Sequence, residues 1–118
     1  MQMIVAYIRP LVKDAVAERL RALAVPGASL SRVDGFGREA DAQGRESYGP
    51  QVSPYADMVK LEVVCEDDRA DELAEAIADE AQTGRRGDGK VYVLPVDRGL
   101  DIRSQSRLQE DSATDETE

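Results

Sequence analysis

The chain has 118 residues, of which 33% are charged and 42% are apolar, and its formal net charge is −9 at pH 7. This length predicts one domain, and so small a domain gains stability from oligomerisation because it buries a modest share of its surface. Five acids and no base lie in the last eleven residues, so the rest of the chain has a net charge of only −4. Such a chain is a poor partner for nucleic acid, whose phosphates bind basic faces.

No apolar run approaches the roughly 20 residues of a membrane span, and no signal peptide is visible. We therefore expect a cytoplasmic protein that does not insert into membranes.

Histidine is absent and Cys65 is the single cysteine. The chain therefore lacks the commonest general base, the commonest metal ligand and an intrachain disulfide. No nucleophile–base pair stands at a readable spacing, which argues against an enzyme. Cys65 ends an apolar-rich run and is expected to be a small buried apolar side chain.

The first part of the chain predicts a strand, a helix and a second strand. Residues 3–8 form a short β-branched apolar run that is typical of a buried strand. Pro10 then opens a helix, and Pro26 with Gly27 ends it. Residues 30–33 predict the second strand. The helix has one apolar stripe, formed by Val12, Val16, Leu20 and Leu23.

A long stretch without hydrophobic periodicity follows, from Arg38 to about Asp57. Connections are usually about 4–6 residues long, and loops much longer than that are either functional or disordered. The functional reading is favoured because a compact domain rarely keeps so long a loop without use. The candidate contacts with a partner protein are Tyr48, Pro50, Gln51 and Tyr55. Tyrosines often anchor interfaces, although these could equally pack back on the sheet.

The second part of the chain predicts a strand at residues 58–65, a helix at residues 69–82 and a strand at residues 90–96. Asp67 or Asp68 is the expected N-cap of this helix. The apolar face of the helix consists of Ala70, Leu73, Ala74, Ile77 and Ala81.

The element order is β-α-β-β-α-β, the order of a ferredoxin-like α+β domain with an antiparallel sheet and both helices on one face. Residues 101–103 are expected to add a short extended piece. Residues 105–118 are expected to form an acidic, disordered tail.

The segment from Gly84 to Lys90 satisfies the phosphate-loop pattern G-x-x-x-x-G-K. Two features contradict that interpretation. Val91 stands where a serine or threonine would bind magnesium, and the segment follows a helix and precedes a strand, the reverse of a phosphate loop. Its glycines could still direct backbone N–H groups at an anion, with Arg85, Arg86 and Lys90 adding positive charge. A helix C-cap followed by a tight turn explains the composition equally well.

Residues 83–93 resemble the B-loop signature of the PII nitrogen-regulatory proteins. Further resemblances lie at the family's opening (residues 6–10), at the strands that enter and leave its long T-loop (residues 33–38 and 59–64), and in its C-terminal basic motif (residues 102–103). The resemblance covers residues 1 to about 104. It implies a homotrimer of ferredoxin-like domains, with ATP or ADP bound in three clefts between subunits. It also implies a T-loop, residues 38–57 here, that changes shape with the ligand and engages a target protein.

Matching by position places the family's nucleotide-binding residues on this chain. The phosphates would be held by Gly87, Asp88, Gly89 and Lys90, assisted by Arg38 and Arg103. The base would be surrounded by Gly27, Ser29, Glu62, Val63 and Val64, and Gly37 would allow the T-loop to approach the nucleotide closely.

Four positions depart from the family pattern. Glu39 replaces a glutamine that helps a magnesium–2-oxoglutarate complex to bind, and Met58 replaces a lysine that pairs with 2-oxoglutarate. Sensing of 2-oxoglutarate is therefore not expected, and the participation of magnesium is left open. Gln51 stands at the place of the tyrosine that many members have uridylylated. Asp101 replaces an arginine and would repel a γ-phosphate, which favours ADP or AMP over ATP.

The sequence thus predicts a divergent PII-like regulator. Its expected ligand is an adenine nucleotide, with a small anion such as bicarbonate as second ligand. Its expected partner is an unidentified transporter, enzyme or carboxysome component. The alternatives are a structural or metal-handling trimer similar to the CutA proteins, and a weak ATPase. A soft-metal site is disfavoured because the chain has no histidine and one cysteine.

Overall fold

The computed structural model describes residues 1–36 and 55–108. Its elements are β1 (Gln2–Ile8), α1 (Lys13–Ala22), β2 (Ser29–Gly35), β3 (Ala56–Cys65), α2 (Ala70–Ala81) and β4 (Gly89–Pro95). The four strands form one sheet in the order β2-β3-β1-β4, and every neighbouring pair is antiparallel. Both helices pack on the same face of this sheet, so the predicted ferredoxin-like α+β fold is confirmed. Within the described part of the chain, no helix is both long enough and apolar enough to cross a bilayer.

The hydrophobic core lies between the helices and one face of the sheet. Alternate residues of β1 and β3 are buried there, because successive side chains of a strand point to opposite faces. The core is built from Ile4, Ala6, Ile8, Val59, Leu61 and Val63 of the strands, Val12 just before α1, and Val16, Leu20, Leu73, Ile77 and Ala81 of the helices. The predicted apolar stripe of the first helix is confirmed, with Leu23 only partly buried. That of the second helix is confirmed except at Ala74, which is only partly buried, while Ala76 is buried in addition. Cys65 also packs against this core, but it is only partly buried, whereas the sequence predicted a buried side chain.

The first helix begins and ends at other residues than the sequence predicts. Pro10–Val12 forms a single 3₁₀ turn, and the α-helix starts only at Lys13. The helix ends at Ala22, before the predicted stop at Pro26. Ala24 then adopts the left-handed conformation, with φ 63°. A residue in the left-handed conformation commonly ends a helix, and Ala24 does so here before the chain reaches Pro26.

The predicted N-cap of α2 is wrong. Arg69 occupies the residue before α2 and makes no side-chain cap hydrogen bond. Asp67 instead lies beside the start of β1, where its Oδ1 accepts hydrogen bonds from the amino terminus of Met1 (2.7 Å) and from the side chain of Gln2 (3.0 Å). A charged ammonium group is a stronger donor than a backbone N–H, which explains why the tertiary contact prevails over the local cap.

Strand β3 begins at Ala56, two residues before the predicted start, and pairs there with Gly35 of β2. The pairing shortens the loop that the sequence predicts over residues 38–57. Most of that loop, residues 38–54, lies outside the described residues.

The C-terminal segment forms a turn and not the predicted extended piece. Leu100 and Arg107 pair in an isolated antiparallel bridge around a turn at residues 102–104. The backbone N–H of Leu108 donates to the carbonyl oxygen of Gly99 at 2.9 Å. The paired chain therefore continues past residue 105, the predicted start of the tail, and residues 109–118 lie outside the description.

Candidate functional site

The glycine-rich loop (residues 83–89) connects the end of α2 to the start of β4. Because a strand follows it, the loop cannot be a phosphate loop of the strand–loop–helix type. Gly84, Gly87 and Gly89 all adopt positive φ angles, of 87°, 88° and 117°. At Gly89 a glycine is obligatory: a Cβ atom there would lie 1.7 Å from the carbonyl oxygen of Tyr7.

The carboxylate of Asp88 lies at the centre of this loop. Its Oδ2 accepts hydrogen bonds from the backbone N–H groups of Thr83 (2.7 Å) and Gly84 (3.1 Å). Its Oδ1 accepts one from the Thr83 hydroxyl and one from Nε of Arg9, the latter at 2.9 Å. Burial raises the pKa of the Asp88 carboxyl, but the hydrogen bonds from Thr83, Arg9 and Gly84 together outweigh it and hold that pKa far below its ordinary value. The carboxylate therefore stays charged and organises the loop from within.

Arg9 attaches the loop to the end of β1. It follows Ile8, which pairs with Gly89 of β4, and it precedes Pro10, which favours its extended backbone (φ −71°, ψ 146°). Besides its bond to Asp88, Arg9 donates from Nη2 to the carbonyl oxygen of Arg86 at 2.6 Å. No role for Arg9 follows from the sequence, because no local pattern connects residues that lie 79 positions apart.

Basic and aromatic side chains lie beside the loop on the open face of the sheet, the face opposite the helices. Lys90 of β4 and Lys60 of β3 both lie opposite Tyr7 of β1, one on each side. Lys60 also forms an ion pair with Glu62 at 3.7 Å. The ring of Tyr7 packs edge-to-face against Tyr92, with centroids 6.4 Å apart. The neighbouring Arg85 and Arg86 are exposed.

The predicted base-binding residues lie around the start of β2. Ser29 lies directly opposite Glu62 in the β2–β3 ladder, and Gly27 is exposed just before β2. The side chain of Val63 is buried in the core, which leaves only its backbone available for binding, whereas Val64 is 47% exposed.

A cavity of about 440 Å³ borders this group, within the usual size range of small-molecule sites. Its walls include Pro26, Val64, Cys65 and Arg69. Burial raises the pKa of the Cys65 thiol, and the positive charge of Arg69 partly opposes this effect. The cysteine is consequently a neutral, apolar part of the cavity wall at neutral pH.

The structure does not bring the two predicted groups together within one chain. Lys90 lies on β4 and Ser29 on β2, and these are the opposite edge strands of the sheet. Three inter-strand spacings, about 14 Å, separate them. The glycine-rich loop and the cavity are thus two separate candidate half-sites on one chain.

The other predicted residues fall near the ends of the described segments. Arg103 is exposed in the turn at residues 102–104. Tyr55 is 47% exposed and packs edge-to-face against Phe36, with ring centroids 5.8 Å apart. Met58 lies in β3, opposite Val33 of β2. Predicted positions outside the described residues are Gly37, Arg38, Glu39, Tyr48, Pro50 and Gln51.

Asp101 acts as a local anchor of the C-terminal turn. Its Oδ1 accepts hydrogen bonds from the backbone N–H and the hydroxyl of Ser104, at 3.0 and 3.2 Å. These bonds lower the pKa of the Asp101 carboxyl, with a smaller contribution from the backbone N–H of Arg103. A negative charge is therefore fixed two residues from the predicted phosphate ligand Arg103.

Comparison with known families decides what kind of protein carries this arrangement. The family model described as "Nitrogen regulatory protein P-II" matches residues 1–106. The chain belongs to the PII family. The match includes both half-sites and the C-terminal turn, so the resemblance of the glycine-rich loop to the PII B-loop is part of a likeness along nearly the whole chain.

Curated PII relatives share this extent. The nitrogen regulatory protein P-II of Haemophilus influenzae is 38% identical over 104 residues, which cover 88% of this chain and 93% of the relative. The Cereibacter sphaeroides protein of the same name is 36% identical over 104 residues, with the same two shares. The one from Rhodospirillum rubrum is 35% identical over 107 residues, or 91% of this chain and 96% of the relative. PII proteins are regulators and not enzymes, and membership supports a regulatory role for this chain.

Proposed function

We propose that this PII protein binds an adenine nucleotide and, in response, regulates a target protein through its T-loop, residues 38–57. The observation that carries the nucleotide half of the proposal is the glycine-rich loop. The carboxylate of Asp88 accepts hydrogen bonds from within the loop. Around the loop, positive charge comes from Arg85, Arg86 and Lys90. A loop of glycines with surrounding cations suits the oxygens of a polyphosphate.

The nucleotide site is completed by a second copy of the chain. The two half-sites lie on opposite edge strands, so one subunit cannot close around a single ligand. A homotrimer would juxtapose the phosphate half-site of one subunit with the base half-site of its neighbour. The open face supports this assembly, because it exposes Val64, Tyr92 and Leu94 at 47%, 49% and 41%. Covering apolar surface of this kind is the main favourable term in association.

The preferred nucleotide is ADP or AMP. The fixed charge of Asp101 lies next to Arg103 in the C-terminal turn and opposes the additional charge of a γ-phosphate. By the same reasoning the second ligand is a small anion such as bicarbonate and not 2-oxoglutarate. Met58 supplies no positive charge for a dicarboxylate, and Glu39 would repel one.

The regulated target is a transporter, an enzyme or a carboxysome component in the cytoplasm. Tyr48, Pro50, Gln51 and Tyr55 are the proposed contacts on the T-loop. Tyr55 supports this assignment because nearly half of its surface is exposed at the loop's end. A half-exposed tyrosine can offer a rigid apolar ring and a hydroxyl to a partner's pocket.

Isothermal titration calorimetry tests the proposal. The protein is titrated with ATP, ADP, AMP and cyclic AMP, each with and without magnesium and with and without 2-oxoglutarate or bicarbonate. We expect one nucleotide per subunit, tightest binding of ADP or AMP, and no effect of 2-oxoglutarate. Sedimentation equilibrium should give three times the 12.9 kDa mass of the chain. The absence of heat with every nucleotide would overturn the sensor proposal, and coupling to 2-oxoglutarate would overturn the assignment of Glu39 and Met58.

A further inference from the structure

Arg9 holds the glycine-rich loop at two points. Its Nε donates to Oδ1 of Asp88 at 2.9 Å, and its Nη2 donates to the carbonyl oxygen of Arg86 at 2.6 Å. The side chains of Arg9 and Asp88 are each only 22% exposed. Water and salt therefore screen this ion pair less than they screen a pair on the open surface.

The charge of Asp88 creates a problem for a site that takes phosphates. A carboxylate inside an anion-binding loop repels the ligand unless a cation neutralises it, and the repulsion grows with each phosphate group. The Thr83 and Gly84 donors to Asp88 are neutral, whereas Arg9 brings a full positive charge. Arg9 thus cancels the charge of Asp88 at contact distance.

We propose that Arg9 is a positioning residue of the nucleotide site, which clamps the glycine-rich loop through Asp88 and cancels the charge that would otherwise oppose the phosphates. The inference rests on the proposed nucleotide function. It assigns Asp88 to the architecture of the loop, so that this residue contributes its backbone and not its carboxylate to phosphate binding. Two N–H groups of Arg9 already donate to the loop, one to Asp88 and one to the carbonyl oxygen of Arg86. Arg9 therefore affects the phosphates through the loop and not by direct contact.

The geometry uses the shape of arginine as well as its positive charge. A guanidinium group presents several N–H donors in a fixed plane, and here two of them reach a carboxylate and a carbonyl oxygen at once. The single ammonium of lysine keeps the charge but not this fork. Arg9→Lys should therefore preserve the charge balance and loosen the loop, which separates the two parts of the proposal.

The first test is a nucleotide series on the full chain with Arg9→Gln, Asp88→Asn and the double variant. For Arg9→Gln we expect affinity for adenosine to stay within about twofold of wild type, and affinity for ADP to fall about tenfold, equivalent to about 1.4 kcal/mol. The loss should be smaller for AMP and larger for ATP. The double variant should recover most of the loss, because it removes the uncompensated carboxylate. Arg9→Lys should lie between wild type and Arg9→Gln.

A matched control removes the same charge elsewhere. Arg21 lies on the outer face of α1, 69% exposed, where it pairs with Glu18 three residues away. Arg21→Gln should leave the whole nucleotide series unchanged. Two results would contradict the claim that Arg9 acts through Asp88. One is that Arg9→Gln lowers the affinity for adenosine as much as the affinity for ADP, and the other is that the double variant recovers no affinity for ADP.

The second test needs no nucleotide. Amide hydrogen exchange of Thr83 and Gly84, whose N–H groups bond to Asp88, should quicken about tenfold in Arg9→Gln, while the amides of α2 stay protected. If the wild-type protein binds no nucleotide, the proposed function is wrong. The exchange measurement still shows in that case whether Arg9 holds the glycine-rich loop in place. Unchanged exchange in Arg9→Gln would overturn the inference regardless of the binding result.

Discussion

Gly89 of β4 lies against the backbone of Tyr7 of β1, so closely that a Cβ atom on Gly89 would fall 1.7 Å from the Tyr7 carbonyl oxygen. Its φ angle of 117° is also one that L side chains rarely adopt. Gly89→Ala must therefore move β4 away from β1 at the base of the glycine-rich loop. We expect a loss of at least about 2 kcal/mol in the free energy of unfolding, measured by urea denaturation.

Gly27→Ala is the control for this substitution. No atom lies within 4 Å of a Cβ built on Gly27, so the change should be neutral or slightly stabilising. Equal stability of the two alanine variants would contradict the account of the Gly89–Tyr7 contact.

Asp88 should make stability depend on pH in the acid range. Its pKa in the folded protein lies below the unfolded value of about 3.9, so it contributes stability that is fully present above about pH 4 and is lost as pH falls towards the folded pKa. The difference in unfolding free energy between wild type and Asp88→Asn should therefore shrink between pH 6 and pH 2.5. Urea denaturation across that range measures it.

A second variant checks the cause. Thr83 donates to Asp88 from both its backbone and its hydroxyl. Thr83→Ala removes the hydroxyl donor, so its unfolding free energy should show a weaker dependence on pH than that of wild type. A wild-type to Asp88→Asn difference that stays constant with pH would show that the hydrogen bonds of Asp88 do not stabilise its ionised form.

The sequence predicted what depends on local periodicity. The alternation in β1 and the apolar stripes of both helices locate the core, because burial on one face imposes a period on the chain. The glycine-rich loop was also visible, since positive φ angles require glycine at positions such as Gly89.

Two features that the sequence did not predict depend on distant contacts. Asp67 looks like a helix cap, but the charged amino terminus of Met1 lies beside it in the fold and takes its carboxylate. Arg9 and Asp88 are 79 positions apart, and only the β1–β4 pairing brings them together. Residues 101–103 were expected to be extended, whereas the side chain of Asp101 bonds back to Ser104 and makes a turn. In the first two cases a charged side chain has a partner far away in the chain, which no local pattern reveals. The contact of Asp101 with Ser104 is local, of the kind that Asp side chains make in turns.

Cys65 should react slowly with alkylating reagents. Only the thiolate is nucleophilic, and burial raises the pKa of this thiol, so little thiolate is present at pH 7.5. We expect iodoacetamide to modify Cys65 in the folded protein at least about tenfold more slowly than in 6 M urea, as followed by mass spectrometry. Arg69→Gln should slow the folded reaction further, because the positive charge of Arg69 lowers that pKa. Equal alkylation rates in folded and unfolded protein would show that the fold neither shields the Cys65 thiol nor raises its pKa.

Asp101 offers the sharpest test of nucleotide preference, provided that its charge is separated from its structural role. Its carboxylate accepts two hydrogen bonds from Ser104, so Asp101→Arg would lose the turn together with the charge. Asp101→Asn keeps an oxygen acceptor in the same place and removes only the charge. The affinity for ATP relative to ADP should rise about threefold or more in Asp101→Asn, because one negative charge near Arg103 has gone.

Calorimetric titration of ATP and ADP into wild type and Asp101→Asn measures this ratio. Ser104→Ala serves as the control, since it weakens the turn by one hydroxyl and leaves the charge of Asp101 in place. A ratio that rises in Asp101→Asn but not in Ser104→Ala assigns the preference to charge. If both variants shift the ratio equally, the shape of the turn selects the nucleotide. If neither does, the preference is set elsewhere in the cleft and the argument from Asp101 is wrong.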